Sequence, residues 1–227
     1  MGSNYSIKYN IDIVMVIDAT GSMDSLIGTV KSNALTFYDD LTASMARKAK
    51  HVDQVRVRVI VFRDYIADKE PMLASDFFNL PEDSAAFEEL LKGIKADGGG
   101  DDEEDGLEAL AYAMKSKWNT VGDKLRHIII VWSDDGTHKL GFGATAPNYP
   151  RKMAKDFEEL TEWWGDEGQE GIMNKSAKRL LIYAPEKKYW STISDSWDRV
   201  VHFPSEAGKG LKSVEYDQIL DAITNSI

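Results

Sequence analysis

Residues 11–23 read IDIVMVIDATGSM, and they carry the clearest structural pattern in the sequence. Between residues 11 and 17 every side chain except that of Asp12 is apolar, and isoleucine and valine dominate. Such a run predicts a strand that is buried on both faces of a parallel sheet. The run ends at Asp18, and a few small and polar residues then lead into a long helical pattern. The stretch therefore predicts a buried strand, a short loop and a helix in succession.

Strand and helix patterns alternate along the rest of the chain, which is typical of an α/β protein. We expect one domain over residues 1–227, with a core from about residue 8. Its fold class is a doubly wound, Rossmann-like, mostly parallel six-stranded sheet with helices on both faces and one antiparallel edge strand. Pro71 favours an edge position for residues 72–78, since proline is tolerated at sheet margins. The expected strands are 11–17, 55–62, 72–78, 126–133, 178–184 and 200–203, and the expected helices are 24–50, 84–95, 107–117, 151–164, 187–194 and 214–227.

Composition and charge exclude several classes of protein. The 227 residues include no cysteine, which excludes disulfides and thiolate metal sites and suits a reducing compartment. A net charge of 27 − 38 = −11 argues against nucleic acid as a partner. No apolar run approaches the roughly 20 residues of a membrane span, and residues 1–10 lack the apolar region of a signal peptide. We expect a cytoplasmic protein, with secretion left open if a signal has been removed.

Three acidic loops lie where predicted strands end or helices begin, at residues 18–22, 101–105 and 134–135. Because the carboxyl ends of parallel strands share one edge of a sheet, these loops should lie close together. The first loop carries one carboxylate and two hydroxyls, on Asp18, Thr20 and Ser22. Oxygen donors of this kind suit a hard divalent cation such as Mg²⁺.

Three motifs resemble the von Willebrand factor A domain family. DATGS at residues 18–22 resembles the D-x-S/T-x-S signature that begins the family's metal-ion-dependent adhesion site. IIIVWSD at 128–134 resembles the fourth-strand motif, which ends in a metal-site aspartate. GGGDDEEDGLEAL at 98–110 resembles the G-G-G-D-x-P-E-x-x-x-E-A-L loop of the hemicentin-like branch, known also in bacteria. The resemblance covers nearly the whole chain in element order.

The resemblance implies a site for Mg²⁺, or for Mn²⁺ or Ca²⁺. Thr20 and Ser22 would bind the ion through their hydroxyls, and Asp18 and Asp134 would hold it partly through water. Glu104 takes the second-loop position, where a threonine is common in the family. Asp135 replaces the glycine often found after the loop-three aspartate, so either Asp134 or Asp135 is the candidate to face the metal.

The function implied is that of a non-enzymatic, metal-dependent protein-binding module. In the family, an acidic residue of a protein partner completes the coordination of the metal. A directly bound Glu104 would add negative charge and weaken this attraction. One alternative is a Mg²⁺-dependent phosphohydrolase with Asp18 as nucleophile, although Thr20 stands where a common phosphatase pattern needs a second acid. Another is an assembly subunit in which the metal only stabilises the fold.

Each candidate residue also has a purely structural interpretation. Thr20 or Ser22 could cap the following helix, and the acids of residues 101–105 could favour the dipole of the next one. Asp134 and Asp135 could form a turn before Gly136. His138 follows the loop-three acids and could approach the metal, but polar surface is the expected role. Arg63 and Asp64 are expected in a salt bridge that supports the loops, and Trp163, Trp164, Trp190 and Trp197 mainly in packing.

Overall fold

The computed structural model describes residues 7–205 and 216–226. Its seven strands form one mixed, mostly parallel sheet. The strands are β1 (Lys8–Asp18), β2 (His51–Phe62), β3 (Met72–Ala74), β4 (Phe78–Leu80), β5 (Lys124–Trp132), β6 (Lys178–Pro185) and β7 (Val200–Ser205). The helices are α1 (Asp24–Arg47), α2 (Ser84–Gly93), α3 (Gly106–Met114), α4 (Phe157–Trp164), α5 (Lys188–Ser196) and α6 (Tyr216–Ser226).

Strand β1 lies at the centre of the sheet, where its composition predicts it. The strand order is β3-β2-β1-β5-β6-β7, and β4 also pairs with β2. β1 runs parallel to both β2 and β5, and its residues from Ile11 to Asp18 are all buried. Because β1, β2 and β5 run in the same direction, the loops that follow them meet at one edge of the sheet.

Two hydrophobic clusters cover the two faces of the sheet. Ile13, Met15 and Ile17 pack into a cluster with residues of α1, α2 and α6. Val14 and Val16 point the other way, into a cluster with residues of α3, α4 and α5. The period-two alternation of a strand therefore divides β1 between the two cores. Three of the four tryptophans that we expected in packing are buried, namely Trp164, Trp190 and Trp197.

The prediction of six strands is wrong, because the described residues form seven. The stretch 72–78 was expected as a single edge strand, but β3 and β4 pair antiparallel with separate parts of β2. Ser75 lies between them: its backbone N–H donates to the carbonyl oxygen of Val59 at 2.9 Å, but its side chain, and not its own carbonyl, accepts from the N–H of Val59 at 3.0 Å. A side-chain oxygen thus replaces a strand carbonyl at the break.

Several element boundaries also differ from the prediction. The largest difference is at α4, expected from residue 151 but beginning at Phe157, because the Asp156 side chain caps it by accepting from the N–H of Glu159 at 2.9 Å. The predicted C-terminal helix agrees with α6, although residues 214, 215 and 227 of that prediction lie outside the described part of the chain. Residues 1–6, where the sequence predicts no signal peptide, also lie outside it. Among the described residues, no helix has the length and apolarity to cross a membrane.

Candidate metal centre

Asp18, the last residue of β1, anchors the first loop of the candidate site. Its side chain is buried, and Oδ1 accepts hydrogen bonds from the backbone N–H of Thr20 at 3.0 Å and from Thr20 Oγ1 at 2.7 Å. Oδ2 accepts from Ser133 Oγ at 2.8 Å. Burial raises the pKa of Asp18 to about 6, although the bonds from Thr20 and Ser133 act in the opposite direction.

A chain of hydrogen bonds continues from the first loop to the third. Thr20 Oγ1 lies 3.2 Å from Ser22 Oγ, and Ser22 Oγ donates to Asp134 Oδ1 at 3.0 Å. The other oxygen of Asp134, Oδ2, is buried and has no hydrogen-bond partner among residues 7–205 and 216–226. Burial also raises the pKa of Asp134. Two loops that are 112 residues apart in sequence therefore bring oxygen atoms to the same place.

The two hydroxyls of the first loop do not cap a helix. Thr20 precedes the short 3₁₀ turn Gly21–Met23, and Met23 precedes α1, but neither helix start has a side-chain cap. The hydroxyls instead face one another and the two aspartates. The capping interpretation of Thr20 and Ser22 is therefore wrong for the described structure.

Glu104 brings the second loop to the same site. A Cβ placed on Gly99 would lie 2.6 Å from Glu104 Oε1 and 3.3 Å from Thr20 Cβ, so the loop passes close to both side chains. Glu104 is buried, and no described residue forms a hydrogen bond with its Oε2. Burial, followed by repulsion from Asp18 and Asp64 among other acids, raises the pKa of Glu104 to about 9. A buried carboxylate without a counter-charge is costly.

Backbone contacts fix the second loop to the third. The carbonyl oxygen of Glu104 accepts from Thr137 Oγ1 and from the N–H of His138, both at 2.9 Å. Thr137 Oγ1 in turn accepts from the N–H of Leu107 at 3.1 Å, at the start of α3. The position of Glu104 is therefore set by the loop that also carries Asp134.

Arg63 supports the loops through backbone carbonyls. Its guanidinium donates to the carbonyl oxygens of Ala19 at 3.1 Å, Lys95 at 2.8 Å and Asp97 at 2.8 Å. Within residues 7–205 and 216–226, it forms no ion pair with Asp64. The expected supporting role is present, but backbone carbonyls, including that of Glu70 at 3.5 Å, replace the expected carboxylate.

Asp134 and Asp135 point to different surroundings. Asp135 Oδ1 accepts from the N–H of Gly136 at 2.6 Å and lies 3.3 Å from Lys187 Nζ. Asp134 contacts Ser22 instead. Of the alternatives that the sequence leaves open, the structure places Asp134 rather than Asp135 with the first loop.

The five expected side chains thus lie together, namely Asp18, Thr20, Ser22, Glu104 and Asp134. Their donor set consists of three carboxylates and two hydroxyls, the oxygen ligands that Mg²⁺ and Mn²⁺ accept. The unpartnered oxygens of Asp134 and Glu104 lack the positive charge that a cation would provide. The residues present therefore fit a divalent cation.

The sequence did not indicate the buried Glu108. Its position in the first turn of α3 resembles that of a solvated acid, yet its side chain is fully buried. Oε1 accepts from the N–H of Gly141 at 2.8 Å and from Tyr149 Oη at 2.9 Å, while Oε2 has no partner in the described part of the chain. Burial, together with repulsion from Asp105, raises the pKa of Glu108 to about 7. Glu108 therefore holds the long loop after β5 against α3.

We expect Glu108→Gln to change how stability depends on pH. The pKa of Glu108 is higher in the folded chain than the ordinary 4.5, so the folded state loses stability as pH rises towards 7. The glutamine variant lacks this loss, and from about pH 5 to pH 7 it should gain about 2 kcal/mol relative to the unmodified protein. Urea unfolding of both proteins at several pH values measures this difference. Parallel pH profiles would contradict the prediction.

Comparisons with known proteins report on the fold. No protein-family model matches the chain, and no curated protein matches it. Among solved structures, the pilus adhesin SpaC from Lactobacillus rhamnosus GG is similar, with 12% identity, a TM-score of 0.53 and coverage of 98% of this chain. Its open conformation gives 12% identity, a TM-score of 0.51 and the same 98% coverage. The chain spans 31% and 30% of the two SpaC chains, so the likeness shows a mixed α/β fold shared with part of SpaC.

Proposed function

We propose that this chain is a von Willebrand factor A-like, doubly wound module that binds a protein partner through Mg²⁺ or Mn²⁺. The observation that carries the proposal is the pair of buried, unpartnered carboxylate oxygens on Glu104 and Asp134, beside the chain of hydroxyls from Thr20 and Ser22. Oxygen atoms from three loops converge there, and a divalent cation would relieve their mutual repulsion.

The proposed roles follow the donor types. The hydroxyls of Thr20 and Ser22 bind the ion directly, and Glu104 adds a carboxylate from the second loop. Asp18 and Asp134 hold the ion partly through water, consistent with their hydrogen bonds to the two hydroxyls. When bound, the ion supplies a positive centre to which a partner's carboxylate can coordinate.

The surroundings of the site limit what such a partner can be. Asp101, Asp102 and Glu103 are exposed on the same loop as Glu104, so the surface beside the site is negatively charged. An acidic partner would be repelled by this surface without the cation. Partner binding should therefore depend strongly on the metal, and it should be weaker than at a site with a neutral threonine in place of Glu104.

The phosphohydrolase alternative has less support. Both carboxylate oxygens of Asp18 accept hydrogen bonds, from Thr20 and from Ser133, and the side chain is buried. A nucleophilic carboxylate needs an oxygen that can approach the substrate. We therefore propose a binding function without catalysis.

The cellular setting is a separate part of the proposal. The absence of cysteine fits a reducing cytoplasm, which is the location that we propose. A surface setting is the alternative, since SpaC, which shares the mixed α/β fold over part of its length, is a pilus adhesin. Fractionation of the native cells, followed by detection with an antibody, distinguishes the two: signal confined to the surface fraction would overturn the cytoplasmic location.

Ser22→Ala is expected to weaken Mg²⁺ binding by about tenfold without unfolding the chain. The variant removes one proposed ligand and the hydrogen bond to Asp134, while Ser22 itself is exposed and supports little of the core. Isothermal titration with Mg²⁺ and with Mn²⁺ measures the affinity. Equal melting temperatures in EDTA serve as the control for folding, and equal affinities in both proteins would contradict the assignment.

Partner binding is tested by affinity capture under three conditions. The immobilised chain is incubated with extract in Mg²⁺, in EDTA, and in EDTA followed by excess Mg²⁺, and Ser22→Ala is treated in parallel. The proposal expects a protein that is captured only with Mg²⁺ and less by the variant. Metal binding without any metal-dependent capture would favour the assembly subunit, in which the ion only stabilises the fold.

A further inference from the structure

A second group of metal-binding side chains lies on the same edge of the sheet. Asp64, Asp101 and His138 each offer one ligand atom, and these atoms lie within 4.8 Å of one another. They come from the end of β2, from the second loop and from the third loop. None of the three belongs to the candidate site that contains Asp18 and Asp134.

The contacts of His138 leave one ring nitrogen directed at this group. His138 is buried, and its Nδ1 lies 3.4 Å from Oδ1 of the fully buried Asp105. Nε2 forms a hydrogen bond with Asp101 Oδ1 at 3.0 Å, and an ion that displaces the Nε2 proton would find a lone pair on Nε2 beside the Asp101 carboxylate, while Nδ1 keeps its proton for Asp105. A carboxylate behind the far nitrogen of a histidine is the usual support of a histidine that binds metal.

Asp64 is a buried side chain, and one of its oxygens has no hydrogen-bond partner among the described residues. Its Oδ1 accepts from the backbone N–H of Ile66 and, at 3.0 Å, from that of Ala67, so the side chain is held in one orientation. In the part of the chain that the structure describes, Oδ2 has no hydrogen-bond partner. A Cβ on Gly100 would lie 2.7 Å from Oδ2, so this oxygen faces the loop that carries Asp101. The side chain is only 3% exposed.

We propose that Asp64, Asp101 and His138 form a second metal site, selective for a divalent transition-metal ion such as Zn²⁺. One imidazole and two carboxylates form a mixed nitrogen and oxygen donor set, which Zn²⁺ binds readily. The first site has oxygen donors alone and suits a harder ion. Three protein ligands leave a coordination position for water or for a group of the partner.

The second ion would join the three elements around the first site. It would tie the exposed Asp101 to the ends of β2 and β5, and so order the loop that also contains Glu104. It would also offset negative charge of Asp64, one of the acids that repel the carboxylate of Glu104. The two sites are therefore neighbours with different ion preferences.

Zn²⁺ titration in saturating Mg²⁺ tests the proposal, because Mg²⁺ fills the first site beforehand. The unmodified chain should bind one Zn²⁺, and Asp101→Asn and His138→Gln should each lower the Zn²⁺ affinity by at least about tenfold. Asp102→Asn is the matched control, since it removes the same charge from an exposed neighbour outside the group. Asp134→Asn should retain Zn²⁺ binding, which separates the second site from the first.

Co²⁺ in place of Zn²⁺ gives a second readout, the visible absorption of an ion bound to imidazole, which His138→Gln should lose. If His138→Gln does not fold, Asp101→Asn decides the test, since Asp101 is exposed. Equal Zn²⁺ affinity in the unmodified chain and Asp101→Asn would overturn the proposal. An equal loss of Zn²⁺ affinity in Asp102→Asn would also overturn it, because charge alone would then explain the effect. So would an equal loss in Asp134→Asn, because Zn²⁺ would then bind at the first site.

Discussion

Asp134→Asn is expected to lower the affinity for Mg²⁺ by about 100-fold, while the fold is retained. The substitution keeps the shape of the side chain and an oxygen that can accept from Ser22 Oγ. It removes the negative charge, and it replaces the buried Oδ2, which has no partner among the described residues, with an amide nitrogen that cannot bind a cation. Because a cation is the group that would satisfy this oxygen, the loss should affect ion binding far more than packing. Isothermal titration with Mg²⁺ measures the change.

Asp135→Asn is the matched control for this prediction. It is the adjacent residue and loses the same charge, but its carboxylate contacts Gly136 and Lys187 instead of the first loop. We expect a change in Mg²⁺ affinity of less than about twofold, since a partly exposed charge nearby has a small effect. A larger loss in Asp135→Asn than in Asp134→Asn would reverse the assignment of the third loop.

The central part of the fold and the proximity of the loops after its strands could be predicted from the sequence for one reason. The apolar runs that became β1, β2 and β5 are long and rich in β-branched residues, so tertiary packing did not override their local preference. Once these strands are parallel, the loops after them must share an edge. The proximity of Asp18 and Asp134 follows from that geometry and needs no knowledge of individual contacts.

Contacts that depend on side-chain orientation could not be predicted in the same way. His138 was expected as polar surface, but it is buried between Asp101 and Asp105 because the third loop folds back over α3. Glu108 was not singled out, since burial of an acid in a helix depends on the loop that packs on it. Arg63 was expected to bind a carboxylate, but it donates to backbone carbonyls instead. Carbonyls in irregular loops need a hydrogen-bond donor, and the sequence does not show which side chain provides it.

The sequence does not show which residue pairs with Asp12, but the register of the sheet does. It interrupts the apolar run of β1, and only 1% of its surface is exposed. In the parallel pairing of β1 and β2, Asp12 lies beside Arg56. Arg56 Nε donates to Oδ1 at 2.8 Å and its NH2 group to Oδ2 at 2.6 Å, and the N–H of Asn119 also donates to Oδ2 at 2.6 Å. The charge is therefore buried but paired.

Arg56→Ala is expected to lower the free energy of unfolding by about 3–5 kcal/mol. The variant leaves the carboxylate of Asp12 buried with one remaining donor, the N–H of Asn119. It also removes the guanidinium from the ring of Phe77, whose centroid lies 4.5 Å away. Lys92→Ala is the control, because it deletes an ion pair with Glu88 on the surface, where such pairs contribute less than about 1 kcal/mol. Urea denaturation of the three proteins provides the comparison.

A double variant distinguishes loss of charge pairing from loss of packing. If the unpaired charge of Asp12 causes the instability, Asp12→Asn in the Arg56→Ala background should recover part of the lost stability, because it removes a charge that has no partner. If the instability comes from the missing contact with Phe77, the second substitution should recover nothing. A double variant no more stable than Arg56→Ala would therefore contradict the electrostatic explanation, and would assign the role of Arg56 to packing beside the central strand.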